Sequence, residues 1–197
     1  MGAQATTAAA PSPSAASVLA NKRLLDARLK KAVRAGDLAA AQAAVANGAS
    51  VRAQDCHGVE PLHHACHGGH LDIALWLHGA GATLTAADTQ EWTPLHHACN
   101  TGKLSVEQWM HGAGASLDAT DNDGWTPLLH ACASMPACLD VVQWLHSAGA
   151  SLEVRDVTAE TPLHVVCESG YLGIAQWLHS EGASINATNE DGETPLH

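Results

Sequence analysis

The sequence contains no phenylalanine, and aromatic residues make up only 4% of its 197 residues. Cations are also scarce, because 9 Lys and Arg stand against 20 Asp and Glu and the net charge is −11. A chain this acidic repels phosphate backbones, which argues against nucleic acid as a main ligand. A partner with a basic segment is electrostatically easier to bind.

No long hydrophobic run is present. The longest stretch without a charge, residues 1–21, is rich in Ala, Ser, Thr and Pro instead of Leu. Such a stretch fits neither a membrane-spanning helix nor the core of a signal peptide, so stable membrane insertion is not expected. We interpret residues 1–21 as a disordered leader, and the sequence leaves N-myristoylation and an organelle transit peptide open as alternatives.

What the sequence has in abundance is internal repetition. A Pro-Leu pair recurs at intervals of 33, 33, 35 and 33 residues, at Pro61, Pro94, Pro127, Pro162 and Pro195. A tryptophan keeps step with it, at Trp76, Trp109, Trp144 and Trp177. A Gly-Ala pair follows the same intervals. A fixed period decides architecture more firmly than local propensity, so the chain is predicted to be an array of similar units.

Each unit carries the signals of two short helices. In the unit that contains Thr93, this residue can cap a helix whose first residue is Pro94, and Gly102 can end it. A second helix is predicted from Leu104 to just before Gly114. Helices this short are marginal in water by themselves, so their apolar faces must be buried against each other and against the next unit.

These motifs resemble the ankyrin repeat, with Thr-Pro-Leu-His-His-Ala at 93–98, Gly-Ala-Ser-Leu at 114–117 and Asp-Asn-Asp-Gly-Trp-Thr-Pro-Leu at 121–128. The resemblance implies an all-α fold, an α-solenoid of helix-turn-helix repeats joined by short β-hairpin turns. It implies a basic N-terminal cap repeat at about 23–54, then repeats at about 55–87, 88–120, 121–155 and 156–188, and a partial repeat at 189–197.

Three departures from the repeat pattern stand out. Residues 22–34 hold six basic residues and one acidic residue, which suits the polar outer face of a terminal repeat. The fourth unit has two extra residues between its helices, in the segment 134–138. The sequence also stops inside a sixth helix pair, which suggests a truncated sequence or an excised fragment.

The 14 histidines and six cysteines raise the question of a metal site. His63, His67 and His70 would share one face of a continuous helix, with Cys66 beside them. The resemblance instead implies a structural, hydrogen-bonding role for the histidine after each Thr-Pro-Leu. No cofactor or metal is expected, and a zinc-responsive module built on this cluster stays open as an alternative.

Enzyme activity is not expected. Most histidines have a counterpart one unit away, which dilutes any unique catalytic arrangement, and no GxxxxGK[ST] or HExxH motif is present. The sequence leaves open that it is the targeting domain of a longer enzyme. Cysteines at one repeated helix position, such as Cys66 and Cys99, are predicted to be reduced and buried, which favours a cytoplasmic or nuclear protein.

The sequence therefore predicts a monomeric, non-catalytic scaffold that binds a protein partner on its concave face, made of turn tips and first helices. Trp92 and Trp125 precede Thr-Pro, outside both helices, and are predicted to be exposed at the centre of the site. The surrounding site residues are predicted to be His57, Val59, His67, Gln90, Asn100, Asp123 and Glu160. The four tryptophans of the second helices are predicted to be buried, and acidic residues near 190–193 favour a basic partner segment.

Overall fold

The computed structural model describes residues 15–134 and 138–197, and these residues form ten helices with no strand among them. In chain order the helices are α1 Ala15–Arg34, α2 Leu38–Ala46, α3 Pro61–Gly68, α4 Leu71–Gly79, α5 Pro94–Cys99, α6 Leu104–Gly112, α7 Pro127–Ala133, α8 Leu139–Ser147, α9 Pro162–Glu168 and α10 Leu172–Ser180. They make five helix pairs, which confirms the all-α repeat architecture.

The starts of α5 and α9 are each fixed by a Thr-Pro-Leu-His segment. The backbone N–H of Thr93 donates a hydrogen bond to Nδ1 of His96 at 3.0 Å, and the threonine hydroxyl lies 2.9 Å from the same atom. Nε2 of His96 reaches forward to the carbonyl oxygens of Ala119 and Trp125, at 3.0 and 3.2 Å. This imidazole therefore joins its own helix start to the next turn, which is the structural role expected of it.

The core lies between two helix layers. In the first-helix layer α3 packs against α5, α5 against α7, and α7 against α9, while the second helices form the other layer. Equivalent side chains of successive units line the buried space between the layers, as in the series Leu62, Leu95, Leu128 and Leu163. Cys66, Cys99 and Cys132 are wholly buried in the same core.

The turns between units repeat one hydrogen-bonded geometry. The backbone N–H of Asp88 donates to the carbonyl of Trp92 at 3.1 Å, and Oδ1 of Asp88 accepts the N–H groups of Gln90 and Trp92. Neighbouring turns are joined by a backbone bond, as from Thr89 N–H to the carbonyl of His57 at 2.9 Å. The expected hairpins are thus present as tight turns, although within the described residues they form no strand pairs.

Two expectations are wrong. Helix α1 begins at Ala15, so residues 15–21 are helical where the sequence predicts a disordered leader, and residues 1–14 lie outside the described residues. The second-helix tryptophans are half-buried instead of fully buried, because each sits at the outer edge of the core. Trp109 meets His78 of the preceding unit edge-on, with ring centroids 5.8 Å apart, and the next two tryptophans repeat this contact.

Residues 135–137 of the insertion in the fourth unit also lie outside the described residues. The partial sixth unit begins as the second, third and fifth units do, because Nδ1 of His197 accepts the N–H of Thr194 at 2.9 Å.

Candidate functional site

Pairs of aspartate and histidine connect the turns to the first helices. Oδ2 of Asp88 lies 3.1 Å from Nε2 of His97, and Oδ2 of Asp121 lies 2.9 Å from Nε2 of His130. Each aspartate thus holds its turn with one carboxylate oxygen and its histidine with the other. The carboxylates accept, so Nε2 carries the proton and Nδ1 keeps its lone pair.

Burial lowers the pKa of both imidazoles in these pairs. The pKa of His97 falls to about 4, because loss of hydration outweighs the opposing effect of its hydrogen bond to Asp88. The pKa of His130 is lowered for the same reason, against the attraction of Asp121. The rings are therefore neutral at physiological pH beside negatively charged carboxylates.

Trp92 lies between these two histidines. Its ring centroid is 5.1 Å from that of His97 and 4.2 Å from that of His130, and both contacts are edge-on. Trp125 is 5.2 Å from His130, and its indole N–H donates to Oδ2 of Asp156 at 3.1 Å. Both tryptophans are half-buried, so they are less exposed than the sequence predicts.

The predicted turn-tip residues come together along one edge of the array. His57, Gln90 and Asp123 are all exposed, and each occupies the equivalent place in its turn. Their carbonyl groups accept the N–H groups that join successive turns, at 2.9 to 3.1 Å, which leaves the side chains free of that role. Val59 is half-buried beside His57 in the same turn.

The remaining predicted site residues border this edge. His67 is exposed on α3, with its ring 6.2 Å from that of His97. Asn100 is half-buried where α5 ends. Glu160 is half-buried at the C-terminal end of the row, and burial followed by repulsion from Asp156 and Glu168 raises its pKa. A cation placed there would relieve this repulsion.

The zinc site that the sequence left open as an alternative is not assembled in the described residues. Nδ1 of His63 accepts the N–H of Glu60 at 3.1 Å, while its Nε2 bonds to the carbonyls of Ala86 and Trp92. Cys66 is wholly buried and its thiol donates to the sulfur of Met110 at 3.6 Å, whereas His67 is exposed. Over the described residues, no three His, Cys, Asp or Glu side chains converge as a metal site would require.

Sequence reasoning missed His97 and His130, although the signal was present. An aspartate that begins a turn is followed nine residues later by a histidine in three consecutive units, at Asp55, Asp88 and Asp121. The first of these histidines is His64, which lies 3.9 Å from Asp55 and also contacts Arg34. In the fifth unit Val165 takes this place.

The arrangement offers indole faces, neutral imidazole acceptors and aspartate carboxylates on one continuous surface. Asp55 forms a salt bridge with Lys30, whose Nζ lies 3.1 Å from Oδ2 of Asp55. Asp88 and Asp121 face neutral imidazoles instead. Asp88, Asp121 and His130 are themselves buried, so the accessible part of this surface consists of the half-buried indoles and the exposed turn tips. Indole faces and polar tips of this kind can bind cationic groups and hydrogen-bonding groups of a partner.

None of the helices in the described part of the chain is long and apolar enough to cross a lipid bilayer.

A search among curated proteins finds no match to this sequence. Two family models match it. The model described as "Ankyrin repeats (many copies)" matches residues 29–78, and that described as "Ankyrin repeats (3 copies)" matches residues 76–156 and 129–197. Together with the five stacked helix pairs, these matches show that the chain belongs to the ankyrin repeat family.

Proposed function

We propose that this protein is a non-catalytic scaffold whose turn tips and first helices bind one protein partner. Ankyrin repeats are generally protein interaction modules, and the surface described above has the composition of such a site. The observation that carries the proposal is that the half-buried indoles of Trp92 and Trp125, from neighbouring units, both contact the ring of His130 and form the aromatic part of this surface. We define this surface, with the tips His57, Gln90 and Asp123, as the turn-tip face.

The proposed partner presents an extended segment with basic residues. The accessible carboxylates of this edge are Asp123, which is exposed at a turn tip, and Asp156 and Glu160, which are half-buried towards the C-terminal end. Asp88 and Asp121 are buried and hydrogen-bonded to His97 and His130. The raised pKa of Glu160, caused by burial and by the nearby carboxylates of Asp156 and Glu168, supports a basic residue at that end. Such complementarity acts mainly on specificity and on the association rate.

We further propose that the protein acts as a monomer in the cytoplasm or the nucleus. The thiols of Cys66, Cys99 and Cys132 are wholly buried, and burial raises the pKa of Cys132 to about 12. Buried, protonated thiols of this kind are unreactive, which supports a reducing compartment. We also propose that the array itself has no enzyme activity. The Asp-His pairs recur with the repeat and are held in place by turn hydrogen bonds, so we assign them a structural role.

The test compares two variants of the full chain in partner capture followed by mass spectrometry. In the turn-tip variant His57, Gln90 and Asp123 become Ala, and these exposed side chains can be removed without loss of the backbone bonds between turns. In the control, Gln108 and Gln176 of the second helices, which are also exposed, become Ala.

The wild type and the control should retain the same specific partner, and the turn-tip variant should lose at least about tenfold in affinity for it. Equal melting temperatures would show that both variants are folded. Equal retention of the partner by the turn-tip variant, or its loss by the control alone, would contradict the proposal.

A further inference from the structure

A second surface of the molecule lies away from the turn-tip face, in a groove between α1 and α2. The groove has a volume of about 370 Å³. Its floor is apolar and made of small residues, and its two walls carry polar residues. The lining comprises Leu25, Arg28, Lys31, Ala32, Ala35, Asp37, Ala40, Ala43, Ala44 and Asn47.

The groove exists because alanines occupy two positions that hold larger residues in every later unit. The place of Ala40 is taken by Ile73, Val106, Val141 and Ile174, all of them buried. The place of Ala43 is taken by the second-helix tryptophans. Trp109 contacts His78 of the preceding unit, so this position faces the N-terminal side of the array. In α2 that side is an exposed alanine surface.

The wall formed by α1 carries the exposed cations Arg28 and Lys31, and the exposed Leu24 lies outside the lining on the same face of the helix. Leu24, Arg28 and Lys31 follow a spacing of four and three residues, so they share one face of the helix. Leu24 is 52% exposed, and within the described residues neither Arg28 nor Lys31 has an acidic partner. On the opposite wall, Asp37 is occupied as a helix cap, with Oδ1 accepting the N–H of Ala40 at 2.9 Å.

We propose that this groove binds an acidic amphipathic helix of a protein partner. Small side chains on the floor allow a helix to approach closely, and leucine or isoleucine side chains of the partner would fill the space that Ile and Trp fill between later units. Acidic residues on the flank of that helix would pair with Arg28 and Lys31.

A helix suits the apolar floor better than an extended segment does. A helix satisfies its own backbone hydrogen-bonding groups, whereas an extended segment would bury unpaired N–H and C=O groups against side chains that offer few partners. The groove would bind a negatively charged partner segment, whereas the turn-tip face is proposed to bind a positively charged one. The two surfaces can be occupied at the same time.

The probe is a synthetic peptide of about 18 residues, made of Leu, Ala and Glu with its leucines on one helical face. The control peptide has the same composition in an order that scatters the leucines around the helix. Binding of each peptide to the full chain is measured by fluorescence anisotropy at physiological salt. The amphipathic peptide should bind at roughly micromolar concentration and the control at least about tenfold more weakly.

Three variants locate the binding. Ala43→Trp fills the groove with the residue that later units carry, and it should weaken binding about tenfold without a change of charge. Arg28→Glu should weaken binding at least about fivefold, while Arg23→Glu, which makes the same charge change on a different face of α1, should have less than about a twofold effect. Circular dichroism would confirm that each variant is folded.

Several results would overturn the proposal. Equal binding of the two peptides, or equal effects of Arg28→Glu and Arg23→Glu, would show only general attraction to a basic helix. Binding of vesicles of phosphatidylserine and phosphatidylcholine that Ala43→Trp abolishes would identify a membrane as the occupant. Dimerisation abolished by the same variant would identify a second copy of the chain. The turn-tip variant should bind the peptide as the wild type does. A negative result for the groove is therefore distinguishable from a negative result for the proposed function.

Discussion

The indole ring of Trp92 lies edge-on against the imidazole ring of His130 in the next repeat, with ring centroids 4.2 Å apart. Because Nε2 of His130 also donates a hydrogen bond to Asp121, this contact links two turns and one first helix. Trp92 therefore stabilises the stack of repeats as well as shaping the turn-tip face. The sequence predicts Trp92 to be exposed at the centre of the site, whereas its ring is half-buried against the next repeat.

Replacement of Trp92 by Ala should lower the free energy of unfolding by about 1–3 kcal/mol, because a half-buried aromatic ring that bridges two repeats is lost. A double-mutant cycle with His130→Ala isolates the ring contact, whose coupling energy should be about 0.5–1.5 kcal/mol. Urea unfolding followed by circular dichroism measures all four proteins. Additive effects of the two changes would show that the contact contributes nothing.

Buried neutral histidines make the fold sensitive to mild acid. The pKa values of His64, His96 and His97 are lowered from 6.5 to about 4, in each case chiefly by burial. Above pH 6.5 the rings are neutral in both the folded and the unfolded chain. As the pH falls from 6.5 to 4 the unfolded chain binds protons first, so stability is lost in this window.

The expected loss is on the order of 1–2 kcal/mol for each of these rings at about pH 5. His97→Gln keeps a side chain that can donate a hydrogen bond to Asp88 and cannot bind a proton in this range. Urea melts at about pH 7.5 and about pH 5 should show a smaller loss of stability in this variant than in the wild type. An identical loss in the two proteins would contradict the assignment for His97.

Glu107 should make the stability of the fold depend on pH in the opposite direction to the buried histidines. It is wholly buried in α6, where other units carry Ala74, Val142 and Ala175, and burial raises its pKa to about 7. Its Oε1 accepts the N–H of Lys103 at 2.9 Å, whereas Oε2 is buried without a partner. A raised pKa favours folding below pH 4.5, and this contribution is lost as the pH rises from 4.5 to 7.

Glu107→Gln should therefore stabilise the protein by roughly 1–3 kcal/mol at about pH 8, where the wild type buries a charge. At about pH 5 the two proteins should differ by less than about 1 kcal/mol, because both side chains are then neutral. Thermal melts at the two pH values give the comparison. A stabilisation that is the same at both would mean that Glu107 does not titrate in this range.

The starts of α5 at Pro94 and α6 at Leu104 could be predicted from the sequence, because the capping and proline signals lie within one unit. The hydrogen-bonding role of His63 and His96 came from the resemblance to the ankyrin repeat, and the bonds confirm it. The environment of Trp92 could not be predicted, since it depends on the histidine that the next unit supplies. The same limit applies to the second-helix tryptophans, because Trp109, Trp144 and Trp177 each pack against a histidine of the preceding unit. The early start of α1 at Ala15 was missed because residues 15–21 carry no charge and no leucine pattern of their own.

Trp109→Ala tests the half-buried state of the second-helix tryptophans. The ring packs at the edge of the core and against His78, so its removal should cost about 1–3 kcal/mol, less than the 3–5 kcal/mol typical of a fully buried aromatic. Met110→Ala provides the control, because Met110 is wholly buried beside it and should cost about 2–5 kcal/mol. Denaturant melts that gave the larger cost for Trp109 would restore the original prediction of full burial.

Ala159 offers a stabilising substitution. Its φ is 63°, in the left-handed region, at the turn position where Gly58 and Gly124 have φ values of 74° and 76°. A side chain in this conformation costs roughly 1 kcal/mol, whereas glycine adopts it freely. Ala159→Gly should therefore raise the free energy of unfolding by about 0.5 kcal/mol, after allowance for the greater freedom of glycine in the unfolded chain.

The matched control is Gly124→Ala in the preceding turn. A Cβ atom there would lie 3.0 Å from the backbone nitrogen of Val157 and 3.2 Å from Cα of Asp156, so a steric cost is added to the conformational one. This variant should be destabilised by more than about 1 kcal/mol. Because the two changes exchange the same pair of residue types at equivalent turn positions, opposite signs in urea unfolding would support the strain at Ala159, and a destabilised Ala159→Gly would contradict it.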